Sequence, residues 1–101
     1  MTKNYIVELT ELRLLEGVDE TSFLKAVQKA YYNFFRKQKG FISRNLLKAE
    51  GNMWVDIMCW KSREEAKKAA DEFPDHASYF PFIQMVSPIG LQITQLEPVS
   101  L

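Results

Sequence analysis

Two side chains in this sequence pair a proton-carrying group with a setting able to tune it. His76 is the only histidine, within Phe73-Pro74-Asp75-His76-Ala77-Ser78-Tyr79-Phe80. If that run is helical, His76, Tyr79, Phe80 and Ile83 share a face, and the imidazole becomes a candidate base beside aromatic rings. The plainer alternative is a hydrogen-bonded packing histidine near a helix end. Asp56 lies between Trp54 and Trp60, and burial among such rings would raise its pKa into a useful range. Its alternatives are pairing with a cation of a second subunit or exposure at a sheet edge. Trp54 and Trp60 can stack on a flat ligand or belong to core or interface, and Ser43 and Asn45 are candidate polar contacts.

Other chemistries find little support. One histidine cannot build a typical zinc site without distant carboxylates. The single cysteine, Cys59, excludes an internal disulfide or a thiolate cluster. Phosphate-binding loops and nucleophile triads are missing. Thirteen basic and thirteen acidic residues cancel, so there is no general attraction to nucleic acid or to a membrane surface. The sequence shows neither a signal segment nor a membrane-spanning run. The expectation is a cytoplasmic protein.

Positioning these residues requires a fold, and 101 residues make one domain. The expected domain spans 1–101. Apolar residues alternate from Asn4 to Leu15 with a slip near Thr10 and Glu11, which predicts a strand with a bulge or bend. Gly17 ends it, and Asp19 or Thr21 can cap a helix carrying Phe23, Val27, Ala30 and Phe34 at helical spacing. Gly40 suits that helix's left-handed stop. Phe41 to Ala49 and Met53 to Trp60 read as a hairpin turning at Glu50-Gly51-Asn52. Ser62-Arg63-Glu64-Glu65 then opens a second helix as a capping box, with Ala66, Ala69, Ala70 and Phe73 on its buried side. Pro74 ends or kinks it. An aromatic-rich segment follows to Val86, then a last strand from about Ile89 to Leu96. The order β-α-β-β-α-β predicts an α+β, ferredoxin-like domain with a four-stranded antiparallel sheet and both helices on one face.

Alternation sorts the third strand into a purely apolar face, Met53, Val55, Ile57 and Cys59, and a mixed one, Trp54, Asp56, Met58 and Trp60. The apolar face is expected under the helices, leaving Cys59 inert. A hairpin loop of two or four residues places Phe41, Ser43, Asn45, Leu47 and Ala49 with the mixed face. That face suits a cavity for a small aromatic or apolar ligand, closed by a second copy of the sheet. An RNA-recognition module has the same strand order, but Met53 to Trp60 lacks the basic residue and glycine it needs.

Gly40-Phe41, Trp54-Val55 and the step Trp60-Lys61-Ser62-Arg63-Glu64-Glu65-Ala66 resemble the antibiotic-biosynthesis-monooxygenase family, over about Tyr5 to Val99. The resemblance implies a dimeric α+β barrel in which two sheets face each other and each subunit keeps its own pocket. Characterised members oxidise polycyclic aromatics with molecular oxygen and no bound cofactor, or degrade haem; others have unknown roles. Haem-degrading members resemble one another in an asparagine on the first strand and a tryptophan in the second helix, and those positions fall on Thr10 and Ala69 here. Haem breakdown is therefore not implied, while simple haem binding through His76 stays open. The implied activity is a monooxygenase without flavin or haem, working as a homodimer; the residues themselves offer His76 and Asp56 as its catalytic groups. Trp54, Trp60, Asn45, Ser43, Tyr79 and Phe80 would contact the ligand. The competing expectation is a homodimer that binds a small molecule or merely packs, without catalysis.

Overall fold

A computed structural model describes residues 4–101. Strand β1 (Ile6–Arg13) leads to helix α1 (Glu20–Asn33) and a 3-10 turn at Phe35–Lys37. The hairpin of β2 (Phe41–Lys48) and β3 (Met53–Trp60) follows. Helix α2 (Arg63–Glu72), a 3-10 turn at Phe73–Asp75, the short helix α3 (Tyr79–Ile83) and strand β4 (Gln92–Leu96) complete the chain. The sheet is antiparallel in the order β2-β3-β1-β4, and the fold is the ferredoxin-like α+β one expected.

Local chemistry accounts for the element ends. Asp19 caps α1 by accepting from the Ser22 N–H at 3.1 Å, and Ser62 caps α2 by accepting from the Glu65 N–H at 3.2 Å. Each such cap contributes about 1 kcal/mol. The Ser62 hydroxyl in turn donates to the Glu65 carboxylate at 3.0 Å. Gly40, at φ +86°, makes the left-handed turn into β2, with the Glu65 side chain packed where a Cβ would stand.

The two sheet faces are the reverse of the sequence expectation. Trp54, Asp56, Met58 and Trp60 are buried, whereas Met53, Val55, Ile57 and Cys59 are only half-buried. The mixed face packs against the helices. The reason lies partly in the turn: Ala49 donates to the Met53 carbonyl at 2.9 Å, so the loop has three residues rather than two or four. Lys48, Leu46 and Arg44 therefore oppose Trp54, Asp56 and Met58, while Leu47, Asn45 and Ser43 oppose Val55, Ile57 and Cys59. Opposed residues share a face, so Ser43 and Asn45 point away from the tryptophans. A register shift between Phe41 and Ser43 returns Phe41 to the Trp60 ring, 5.5 Å between centroids.

The expected bulge in β1 is also absent. Its pairing with β3 runs unbroken from Ile6↔Trp60 to Arg13↔Met53. What looked like a phase slip is polar substitution on one face. Ile6, Leu12 and Leu14 are buried under the helices, and Glu8 and Thr10 stand between them in the same alternating row. The core is correspondingly divided. One cluster gathers Ala30, Phe34, Phe35, Met58, Trp60, Ala66, Ala69 and Phe73. The other gathers Leu12, Leu14, Phe23, Val27, Trp54 and Val86, and Phe82 packs against both. Ala70, expected to be buried, is exposed.

Candidate functional site

Between the two clusters lies a cavity of about 230 Å³, just below the roughly 300–1,000 Å³ of drug-sized ligand sites. Its walls are mainly apolar, among them Leu12, Phe35, Met58, Phe73, Phe82 and Ile93. The polar side chains in this lining are Glu8 and Thr10 from β1, Arg44 from β2, Asp56 and Trp60 from β3, and Tyr79 from α3. Strand register brings them together, since Thr10 opposes Asp56 while Glu8 and Arg44 both oppose Met58.

Asp56 is one half of a buried ion pair. Arg44 Nε donates to both carboxylate oxygens, at 3.0 and 3.1 Å, and a third bond joins Arg44 Nη2 to Asp56 Oδ2. The side chains are 8% and 7% exposed, so this is a desolvated, fork-to-carboxylate pair. Arg44 also donates to the Val27 carbonyl at 3.4 Å and lies over the Phe35 ring at 5.7 Å. Asp56 is buried beside the tryptophans as expected, but its partner is a cation of its own chain, not of a second subunit.

Among the described residues, no cation forms an ion pair with Glu8. Burial pushes its carboxyl above the ordinary value, and the negative charge of Asp56 adds to the effect. The side chains of Gln95 and Trp60 oppose it by favouring the ionised form. The indole N–H of Trp60 does so from outside hydrogen-bond geometry, for Nε1 is fully buried and has no partner among the described residues. A buried donor in that state costs about 1–3 kcal/mol, and here it belongs to a residue that lines a cavity.

No family model matches the chain, and no curated protein matches it in sequence. Solved structures do match in shape. SnoaB, a cofactor-independent oxygenase from Streptomyces nogalater, superposes with a TM-score of 0.79 at 13% identity, covering 97% of this chain and 96% of that one. A proposed antibiotic biosynthesis monooxygenase from Bordetella bronchiseptica gives 0.77 at 16% identity, over 96% and 99%. Another, from Nitrosomonas europaea, gives 0.74 at 10% identity, over 98% and 94%. The chain has the fold of the antibiotic biosynthesis monooxygenases. At these identities the likeness establishes architecture and leaves chemistry to the residues.

Within this fold, Asp56, Trp60 and Tyr79 meet in the cavity. The other residues singled out from the sequence lie elsewhere. Trp54 packs on Phe23, 5.1 Å between centroids, in the second core cluster. Phe80 is 68% exposed, and Ser43 and Asn45 are exposed on the opposite sheet face. His76 is extended, not helical, at φ −86° and ψ 147°. Its Nδ1 accepts from the Ser78 N–H at 3.1 Å and bonds the Ser78 hydroxyl at 2.8 Å, while the ring packs on Phe34 at 5.1 Å. It is not among the cavity-lining residues. Glu8, Thr10 and Arg44 were missed. Their signal was present, as polar side chains interrupting the rows that turn out to be inward-facing. Among the described residues, no group of three or more His, Cys, Asp or Glu is placed to hold a metal ion. Nor is any described helix long and apolar enough to cross a membrane.

Proposed function

We propose that this chain is a cofactor-independent monooxygenase that acts on a small aromatic or apolar molecule held between sheet and helices. The observation that carries the proposal is the cavity itself. It is a mainly apolar cavity with one carboxyl of raised proton affinity, near a buried N–H that has no partner among the described residues. A carboxylate whose proton affinity is raised by burial is a stronger base than a solvated one, and an unpartnered donor is ready to receive a developing oxyanion.

In this reading Glu8 removes a proton from an activated C–H of the substrate. The resulting anion passes electrons to molecular oxygen, and a C–O bond forms to give a peroxide. The peroxide takes a proton, its O–O bond breaks, and the second C–H proton leaves as water is expelled. One CH₂ and one O₂ become one C=O and one H₂O. The Trp60 N–H donates to the substrate oxygen that carries charge in the anion. Asp56 acts through its charge on Glu8 and its hold on Arg44. His76, whose carbonyl accepts from the Tyr79 N–H at 3.0 Å, anchors the turn that presents Tyr79.

The working unit in this proposal is a homodimer. The face away from the helices carries Val7, Leu9, Val55, Ile57 and Cys59, half-buried, with Leu47 and Leu96 exposed at its margins. A second copy of the same face is the economical cover for it.

An oxygen electrode with a series of activated aromatics tests the enzyme reading. Uptake of one O₂ per substrate, abolished in Glu8→Gln while the ligand still binds, is the expected result. Full uptake by Glu8→Gln removes Glu8 from the mechanism. Binding without uptake for every aromatic leaves a binding protein.

A further inference from the structure

The cavity holds three formal charges: Arg44, Asp56 and Glu8. Arg44 and Asp56 cancel in their bidentate pair, and Arg44 also donates to the Val27 carbonyl. No cation in the lining is left for Glu8. Its side-chain neighbours of note are Gln95 and Trp60, both uncharged, and the negative Asp56. Tyr79, from α3, is the other titratable group of the wall.

We infer that this cavity selects small neutral or cationic aromatics bearing a hydrogen-bond donor, namely phenols and aromatic amines, and rejects aromatic carboxylates. The inference rests on the cavity being the ligand site, as proposed above, but not on any turnover there. A phenol or amine donates to the Glu8 carboxylate, and an oxygen on the same ligand can accept from the Trp60 N–H. The Trp60 N–H then gains a partner, and the half-buried Glu8 gains a donor beyond Gln95. A carboxylate instead brings a second negative charge beside the half-buried Glu8. Like charges so placed repel more strongly than in bulk solvent, and the one cation of the described lining, Arg44, is already paired with Asp56. Size follows from the same walls, because about 230 Å³ admits a small ring system and not an extended polycycle.

The selection depends on pH with a definite sign. An ionised Glu8 accepts from the phenol and repels the acid, so discrimination grows as pH rises above the raised carboxyl range. A protonated Glu8 can donate to an acid, so discrimination shrinks as pH falls.

The test measures binding alone. 2-Naphthol, 2-naphthylamine and 2-naphthoate share one ring system, and their affinities for the full-length protein are compared by calorimetry at pH 8. The naphthol and the amine should bind at least about tenfold tighter than the acid, given repulsion at short range and low dielectric. In Glu8→Gln the ratio should fall below about threefold, mainly through tighter acid binding. In the unaltered protein, lowering the pH toward 5 should narrow the ratio, which gives a second reading independent of any variant. Equal affinity for the three, preference for the acid, an unchanged ratio in Glu8→Gln, or no binding of any of them overturns the inference. Oxygen uptake is a separate readout, so tight phenol binding without turnover would sink the enzyme proposal and leave this one standing.

Discussion

Breaking the Arg44–Asp56 pair should be the most damaging single change in the site. Both side chains are more than nine-tenths buried, so removing either leaves an uncompensated charge where water cannot reach it. Losses of this kind run to about 3–5 kcal/mol, against a total stability of about 5–15 kcal/mol for a domain of this size. Asp56→Asn should sit near the lower end of that range, because the amide still accepts from Arg44. Arg44→Met should sit higher, because it also ends the contact with Phe35 and the bond to Val27. The double replacement Arg44→Met with Asp56→Leu removes both charges and refills the space with apolar atoms. It should cost about 1 kcal/mol or less. The assay is urea unfolding followed by tryptophan fluorescence, at fixed protomer concentration because association shifts apparent stability. Trp54 and Trp60 flank Asp56 on β3 and are both buried, so they report on this region directly. With a slope of about 2 kcal/mol per molar urea, a loss of about 4 kcal/mol lowers the midpoint by about 2 M. A single variant costing under about 1 kcal/mol, or a double variant costing the sum of its singles, would refute the buried pair.

Glu8 supplies a change of opposite sign. Burial lifts its carboxyl above the ordinary 4.5, so the folded state prefers the protonated form. Its favourable contribution is complete below pH 4.5 and is lost as pH rises through the raised value. Glu8→Gln should therefore melt higher than the parent at pH 8 and at the same temperature near pH 4; a lower melting temperature at pH 8 contradicts the assignment. Gly40→Ala places a Cβ against Glu65 at a positive φ and disturbs the cap of α2. The expected loss is about 2–3 kcal/mol, seen as a fall of roughly 10–20 °C in melting temperature, and an unchanged melting curve excludes the close approach. Ile57→Lys puts a charge in the middle of the open sheet face. Native mass spectrometry should then report a monomer where the parent reports a dimer, and two identical masses would count against that face as the interface.

Much of the architecture was legible because each element carries its own punctuation. Asp19 and Ser62 cap as read, Gly40 turns as read, and four strands and two main helices stand in the expected order. The last strand begins later than read, at Gln92, and the segment left open as irregular or helical is extended at His76 and helical only from Tyr79. Both differences fall where prolines leave the chain without a strong period. The orientation of the sheet was harder. Strand alternation separates two faces but does not say which one the helices cover, and a three-residue turn reverses the partner strand relative to a two-residue one. Ser43 and Asn45 were misplaced by that single step of parity.

The deeper difficulty is that the usual guide, apolar residues inward, fails when a sheet has two buried faces. If the open face is covered by a second copy, it needs to be smooth and uniformly apolar, as Val7, Leu9, Val55 and Ile57 are. The face under the helices can then afford polar residues, provided they meet one another or a ligand. Glu8, Thr10, Asp56 and Arg44 lie on three neighbouring strands within about one register step of each other. Scattered through a solid core, four such residues would each cost kilocalories. Gathered at one place they share a cost and define a cavity, and two of them cancel as an ion pair. Glu8 is the residue that packing alone does not explain. A core built only for stability would place a leucine there, between Ile6 and Leu12, and close the space. The carboxyl that keeps it open is therefore the strongest reason to look for a ligand at this site.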